Sequence, residues 1–434
     1  MDVLIASPYL PWPLTEGGRT AQYRTFEALQ GACTFTLVVP MNSLQEEADA
    51  KTFAGMFSNV TLETVRCFQI PRTPSWGTRW RNKTRNFLKN NFSAARLPPG
   101  TQTAPAPDNA GPHYPFNNLH PDFVAAVAKH LDKGCDIFQA EFAGMMSLGP
   151  LMAGRVPTLL VHHQLHFVYA RRFLQATNAA NANARYLTEK MTREETDYLK
   201  TFDAAIVFSE TDRQALTKFC PQLAVNVSPF PSPEEPMPVA LTFDRPVKQF
   251  VFVASQTHHP NVAGLRWFMQ NVWPAIQRQL PDTTIEVLGH WSPATQTSVP
   301  NHKDIRFAGF VDDLKSALRN KIMIVPVWIG SGIRTKILTA WSASCPVVAT
   351  TIGAEGLPGR SGEHFLIADD APAFAGACIK LSQNLEMLNR MAANGLDFVK
   401  RNYSLAAVRK TRLEIYNQLL ANKINHPLTQ MSKW

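Results

Sequence analysis

Apolar residues in this chain come in short runs that alternate with amphipathic stretches at helical spacing, and that alternation predicts an α/β fold. Residues 3–6 form an apolar run stopped by Pro8; a loop through Glu16, Gly17 and Gly18 follows, then a helical pattern over 19–29. Further β-rich runs lie at 34–39, 136–139, 157–161 and 204–208, with helical stretches between several of them. A second series opens with a run at 249–254 and a helical pattern over about 262–279, and continues with runs at 285–288, 305–307, 321–327 and 346–349. Strands that alternate with helices imply mostly parallel, doubly wound sheets. The doubled series predicts two Rossmann-like domains with a cleft between them. A closing helical pattern at 405–420, beyond the last expected strand, is expected to pack back across the first domain.

The alternation breaks in two places. Between about 71 and 121 it gives way to a basic, aromatic stretch (Trp76, Arg79, Trp80, Arg81, Lys83, Arg85) and then a Pro-, Gly-, Asn- and Thr-rich loop at 97–118. An insertion of this length is functional or disordered. Its aromatic part reads either as an acceptor- or membrane-contacting helix pair or as core packing by Trp76, Trp80, Phe87 and Phe92. The proline-rich residues 229–238, with Glu234 and Glu235, have the composition of an interdomain linker. The expected division is an N-terminal acceptor-side domain at 1–228 with its variable insertion at about 71–121, a linker at 229–247, a C-terminal domain at 248–400 and the returning helix at 401–434.

A length of 434 residues fits two domains, and 45% hydrophobic with 18% charged residues fits a globular chain. No apolar stretch approaches the roughly 20 residues that span a bilayer. Residues 1–8 have an acidic start and an apolar run ending in proline, unlike a signal peptide, so a cytoplasmic location is expected. Six scattered cysteines without a CxxC pair read as buried free thiols. The net charge of +9 suits anionic partners: a nucleotide diphosphate, a phosphorylated lipid acceptor, or the inner face of an anionic membrane as a peripheral contact. No zinc-finger, RNP-like or arginine-rich segment points to nucleic acid.

Ligands of open α/β sheets bind beyond the carboxyl ends of the strands. The richest such point here is 326–338, where an apolar strand ends, Gly330 and Gly332 let the backbone approach a ligand, and a helix starts with its free N–H groups outward. Arg334 and Lys336 add positive charge where the helix dipole disfavours it, so an anion, in outline a diphosphate, is the natural partner. The alternative is a solvated basic helix start. Gly17-Gly18 lacks the GxGxxG spacing but would let the backbone approach a diphosphate or an acceptor. Glu16 beside it is an acceptor contact or simply solvated, and His258-His259 reads as a polar turn.

The run 330–338, continued by Ala340-Trp341-Ser342-Ala343-Ser344-Cys345-Pro346 and Gly353-Ala354-Glu355-Gly356-Leu357, resembles the donor-binding block of family-4 (group 1) glycosyltransferases of the GT-B fold. Four other stretches agree with it: Pro260-Asn261-Val262 with Trp267-Phe268; Gly309-Phe310-Val311-Asp312-Asp313, similar to the base-binding turn; Gly362-Glu363-His364 with Ile367-Ala368-Asp369-Asp370; and 8–18, similar to the opening loop. The resemblance covers nearly the whole chain in order, with its specific motifs mostly between 250 and 375. It implies retaining transfer of a sugar from a nucleotide diphosphate donor to a saccharide, lipid-linked or other hydroxyl acceptor, in surface polysaccharide or glycoconjugate synthesis. It implies no metal and no other cofactor.

By the same resemblance Arg334 and Lys336 neutralise the departing diphosphate, helped by the backbone at Gly332 and Ile333, while Gly309, Phe310 and Val311 hold the base and Gly17, Gly18, Gly330 and Ser331 line the donor site. A histidine beyond the strand at 159–161 is expected to meet the donor sugar, and His162 is the better match of His162-His163. Adjacent residues on an extended chain point to opposite sides, which argues against a metal-binding pair. The chain departs from the family in one respect. Two glutamates eight positions apart are replaced by Ser331 and Thr339, and a hydroxyl cannot make a carboxylate's bidentate contact with the ribose; Glu355 is the nearest substitute. The departure leaves open a catalytically impaired nucleotide-binding protein, or another GT-B enzyme such as a sugar-nucleotide epimerase.

Overall fold

In the computed structural model, which describes residues 1–68, 115–116, 118–177 and 182–425, the strands form two sheets. The first contains β1 (Asp2–Ala6), β2 (Thr34–Met41), β3 (Val60–Arg66), β4 (Ile137–Glu141), β5 (Thr158–Val161), β6 (Ala204–Val207) and β7 (Ala224–Val227) in the order β3-β2-β1-β4-β5-β6-β7. The second contains β8 (Gln249–Val253), β9 (Thr284–Leu288), β10 (Ile305–Gly309), β11 (Ile322–Val325), β12 (Val347–Ala349) and β13 (Leu366–Ile367) in the order β10-β9-β8-β11-β12-β13. Every pairing is parallel. Helices cover both faces, so the central strands β5, β6, β11 and β12 are buried along their whole length and read in sequence as unbroken apolar runs.

Three strands gave no such signal: β3, β7 and β13. All three are sheet edges and are only partly buried, so selection for apolar side chains is weaker there. The helical pattern at 262–279 is in fact three pieces in line, His259–Trp267, a π-helical turn Phe268–Val272, and Trp273–Gln279, with Pro260 and Pro274 each at a helix start. The insertion expected at 71–121, with its aromatic and basic stretch, lies outside the described residues up to residue 114.

Between β7 and β8 the chain is pinned rather than loose: the Ser232 amide donates to the Tyr403 carbonyl at 3.0 Å, and the Ser232 and Ser342 hydroxyls are 2.8 Å apart. The last helix, Leu405–Asn425, runs against the Gly17–Ala28 helix of the first domain. Arg409 ties it there by donating to the carbonyls of Ala28 at 3.0 Å and Gln30 at 2.8 Å. One buried apolar cluster includes residues of both sheets, among them Ile5 and Val161 of the first and Val325 and Ala349 of the second.

Candidate functional site

The carboxyl ends of both sheets face a shared cavity of about 820 Å³, lined by residues of each domain. Two helices start at its wall. The Gly17–Ala28 helix follows β1 and the Thr335–Ser342 helix follows β11, and their first turns meet: a Cβ added to Gly17 would lie 3.1 Å from Thr335 Oγ1. Neither helix start is capped by a side chain, so unpaired backbone N–H groups of both domains converge on one place.

Arg334 and Lys336 stand at the same wall, half-buried and without a carboxylate in ion-pair contact among the described residues. Arg334 Nη1 donates to the carbonyls of Ser331 (2.9 Å) and Gly332 (3.2 Å), while its Nε and Nη2 have no hydrogen-bond partner among the described residues. Lys336 donates 3.1 Å to Asn261 Oδ1 and lies 5.0 Å from the centroid of Phe252. Burial, with Arg334 adding to it, pushes the Lys336 ammonium down to about 7. His258, also on the cavity wall, is driven to about 4 by burial and then by Lys336 and Arg334, so it is neutral near pH 7. Glu355 and Asp212 act on Arg334 without an ion-pair contact, and partly desolvated cations without a contact partner favour an anionic occupant.

The glycines expected here make this packing possible. Gly332 has φ +75°, and a Cβ there would come 2.9 Å from the His163 carbonyl oxygen; at Gly330 a Cβ would collide with the Arg334 guanidinium. Gly17, Gly18, Gly330, Ser331 and Ile333 all line the cavity. The Ser331 hydroxyl is used within the protein, donating 3.0 Å to the Leu165 carbonyl of the other domain.

Other expected residues lie elsewhere. His162 was expected at the cleft, but its side chain is fully buried behind β5, 2.8 Å from Glu195 Oε1, and it is His163 that lines the cavity. Alternation along the strand sends the two rings to opposite sides, and only the register of the sheet decides which side faces the cleft. The Thr339 hydroxyl donates back to Thr335 O at 3.3 Å inside its own helix, outside the cavity lining. Glu355, the expected ribose substitute, instead forms a bidentate ion pair with Arg172 of the first domain, one arm at 2.7 Å. Gly309, Phe310 and Val311 sit at the carboxyl end of β10, outside the cavity lining, with Phe310 70% exposed.

Sequence reading missed Tyr9, Phe142 and Glu141, and ranked His163 behind His162. The His163 ring stacks on Phe142 at 3.8 Å, and Phe142 itself holds a positive φ of 66° between β4 and the next turn. A non-glycine residue in that conformation is strained, a feature that clusters at functional sites. Burial holds the His163 imidazole below its usual range, against the pull of Glu141. No group of three or more His, Cys, Asp or Glu side chains is arranged to hold a metal ion among the described residues. No helix among them is long and apolar enough to cross a membrane.

Residues 247–384 match the family model described as glycosyl transferases group 1. A Klebsiella pneumoniae protein described as an uncharacterized 44.6 kDa protein in the cps region is 24% identical over 258 residues; the match spans 56% of this chain and 64% of that relative's length. Among solved structures, sucrose-phosphate synthase from Thermosynechococcus elongatus superimposes with a TM-score of 0.65 at 15% identity, covering 97% of this chain and 100% of that one. The pneumococcal O-GlcNAc transferase GtfA, solved with UDP and GlcNAc, gives 0.61 at 12% identity over 97% and 99% of the two chains. At such identities these likenesses speak to the fold, which is GT-B, two Rossmann-like domains around a cleft.

Proposed function

We propose that this chain, whose C-terminal half carries a group 1 glycosyltransferase domain on a GT-B fold, transfers a sugar from a nucleotide diphosphate donor to a hydroxyl acceptor. The observation that carries the reading is the convergence, on one interdomain cavity, of two uncapped helix starts and two half-buried cations that have no carboxylate in ion-pair contact among the described residues. That is the chemistry of a diphosphate cradle. When the glycosidic bond to the diphosphate breaks, negative charge grows on the leaving oxygen, and Arg334 Nε and Nη2 with Lys336 Nζ are placed to receive it. GtfA in complex with UDP and GlcNAc supports a nucleotide sugar here. His163 then meets the sugar from the first domain, and closure of the two domains excludes water that would hydrolyse the donor.

The acceptor is proposed to be a growing surface saccharide or a lipid-linked one, a reading supported by the cps-region relative and by the net charge of +9, which favours the anionic inner face of a membrane. Retention of the anomeric configuration follows from the family resemblance and is read directly by NMR of the product. The decisive test is calorimetry with a panel of nucleotide sugars followed by turnover assays. Arg334→Ala and Lys336→Ala should each weaken donor binding roughly ten- to a hundredfold, and the double variant should lose turnover with its circular dichroism unchanged. A double variant as active as the parent would remove the proposed cradle. A second reading, an impaired nucleotide-binding protein, is favoured by Ser331 and Thr339, whose hydroxyls are both spent inside the protein. Tight nucleotide-sugar binding without turnover for any acceptor would select it.

A further inference from the structure

A line of buried hydrogen bonds runs from the last helix to the cavity. Tyr416, fully buried on the Leu405–Asn425 helix, donates 2.7 Å to Gln139 Oε1 on β4. Gln139 Nε2 donates 2.6 Å to Glu141 Oε1; the two side chains are two residues apart on β4 and so share a face. Glu141 Oε2 lies 2.8 Å from His163 Nε2. Gln139 and Glu141 are 1% and 3% exposed, so this polar line is almost wholly withdrawn from water. Arg412, one turn before Tyr416 and equally buried, lies 5.8 Å from the centroid of Phe208, whose ring also meets the His163 ring edge-on at 5.1 Å.

The chemistry of the line has a direction. A carboxylate only accepts, so Glu141 requires the proton of a neutral His163 to sit on Nε2, leaving Nδ1 as an acceptor. Nδ1 has no protein partner among the described residues. One nitrogen of the cavity histidine is thus committed to the protein and the other is not. Burying so many polar groups is expensive unless each is satisfied, and a satisfied network fixes one geometry.

We propose that Glu141, Gln139 and Tyr416 are positioning residues for His163, so that the returning C-terminal helix sets the tautomer and plane of the side chain that meets the donor sugar. This rests on the transferase reading above. None of the three touches the reacting atoms; each acts through the next.

The test uses the full chain and two readouts. In the unliganded protein, nitrogen NMR of His163 should show the Nε2–H tautomer, shifting toward a mixture in Glu141→Gln and in Tyr416→Phe. In turnover assays Glu141→Gln should lower kcat by about a hundredfold and Tyr416→Phe by about tenfold, with the donor KM unchanged. Neither change should lower the residual rate of a His163→Ala background further, whereas independent structural damage would. A tautomer unmoved by Glu141→Gln, or full additivity in the His163→Ala background, overturns the proposal. A parent protein with no turnover on any nucleotide sugar overturns the transferase reading instead, and the tautomer measurement then decides the positioning by itself.

Discussion

Lys336 carries an ammonium enclosed by Phe252, Asn261 and Arg334, and its pKa of about 7 stands far below the 10.5 of an ordinary lysine. The sign follows from which state holds the proton. Below about 7 both folded and unfolded chains are protonated and the burial penalty is fully present; between about 7 and 10.5 the unfolded chain binds more protons, so the unliganded protein gains stability as pH rises through that window. A bound diphosphate reverses the preference by favouring the charged form. Donor affinity is therefore expected to fall as pH rises above about 7, with proton uptake on binding, measured by calorimetry in two buffers of different ionisation enthalpy. Lys336→Met should flatten the profile; an affinity constant from pH 7 to 9 in the parent would separate Lys336 from the donor. The place of the cations beside the cavity was legible at this scale because Arg334 and Lys336 lie close after Gly330 and Gly332 at a strand end. The histidine was not, because His162 and His163 are equivalent until the register of β5 against β4 and β6 is known.

Among elements, the short segment between β11 and the Thr335–Ser342 helix concentrates the constraints of the site. Its Gly332 combines a left-handed backbone with a close approach to the His163 carbonyl. Gly332→Ala is expected to cost about 1–2 kcal/mol of stability from the backbone alone, and more once the carbonyl must move. Urea denaturation reads that loss, and a parallel donor titration should show weakened binding, since the segment carries Arg334. A variant of unchanged midpoint and affinity would show that the loop tolerates another conformation. Central strands were legible as apolar runs because both faces are covered. Three of the four edge strands, β3, β7 and β13, were not, because a strand with one neighbour is specified as much by that neighbour's free backbone groups as by its own side chains.

Across the whole molecule, the two domains are joined by Arg172, which reaches Gly330 of the cavity lining. Its guanidinium donates to the Gly330 carbonyl at 2.6 Å and grips Glu355 with both arms, while Ser331 reaches Leu165 from the other side. A double-mutant cycle of Arg172→Ala and Glu355→Ala should show a coupling of roughly 0.5–3 kcal/mol in donor affinity, together with a larger radius of gyration for the single variants by small-angle scattering. Additive effects with unchanged dimensions would make the pair a surface ornament. The linear order of residues was enough to determine two βα series, the central strands, the glycine-lined helix entrance and its two cations, since each depends on periodicity or on neighbours within a few positions. Only the tertiary structure decided that His163 and not His162 faces the cleft, that Glu355 is held by Arg172, and that Tyr416 reaches Glu141 through Gln139. Apart from Gln139 and Glu141, neighbours on one strand, those pairings join residues between twenty-two and two hundred and seventy-seven positions apart, and no local pattern encodes which side chains meet across such distances.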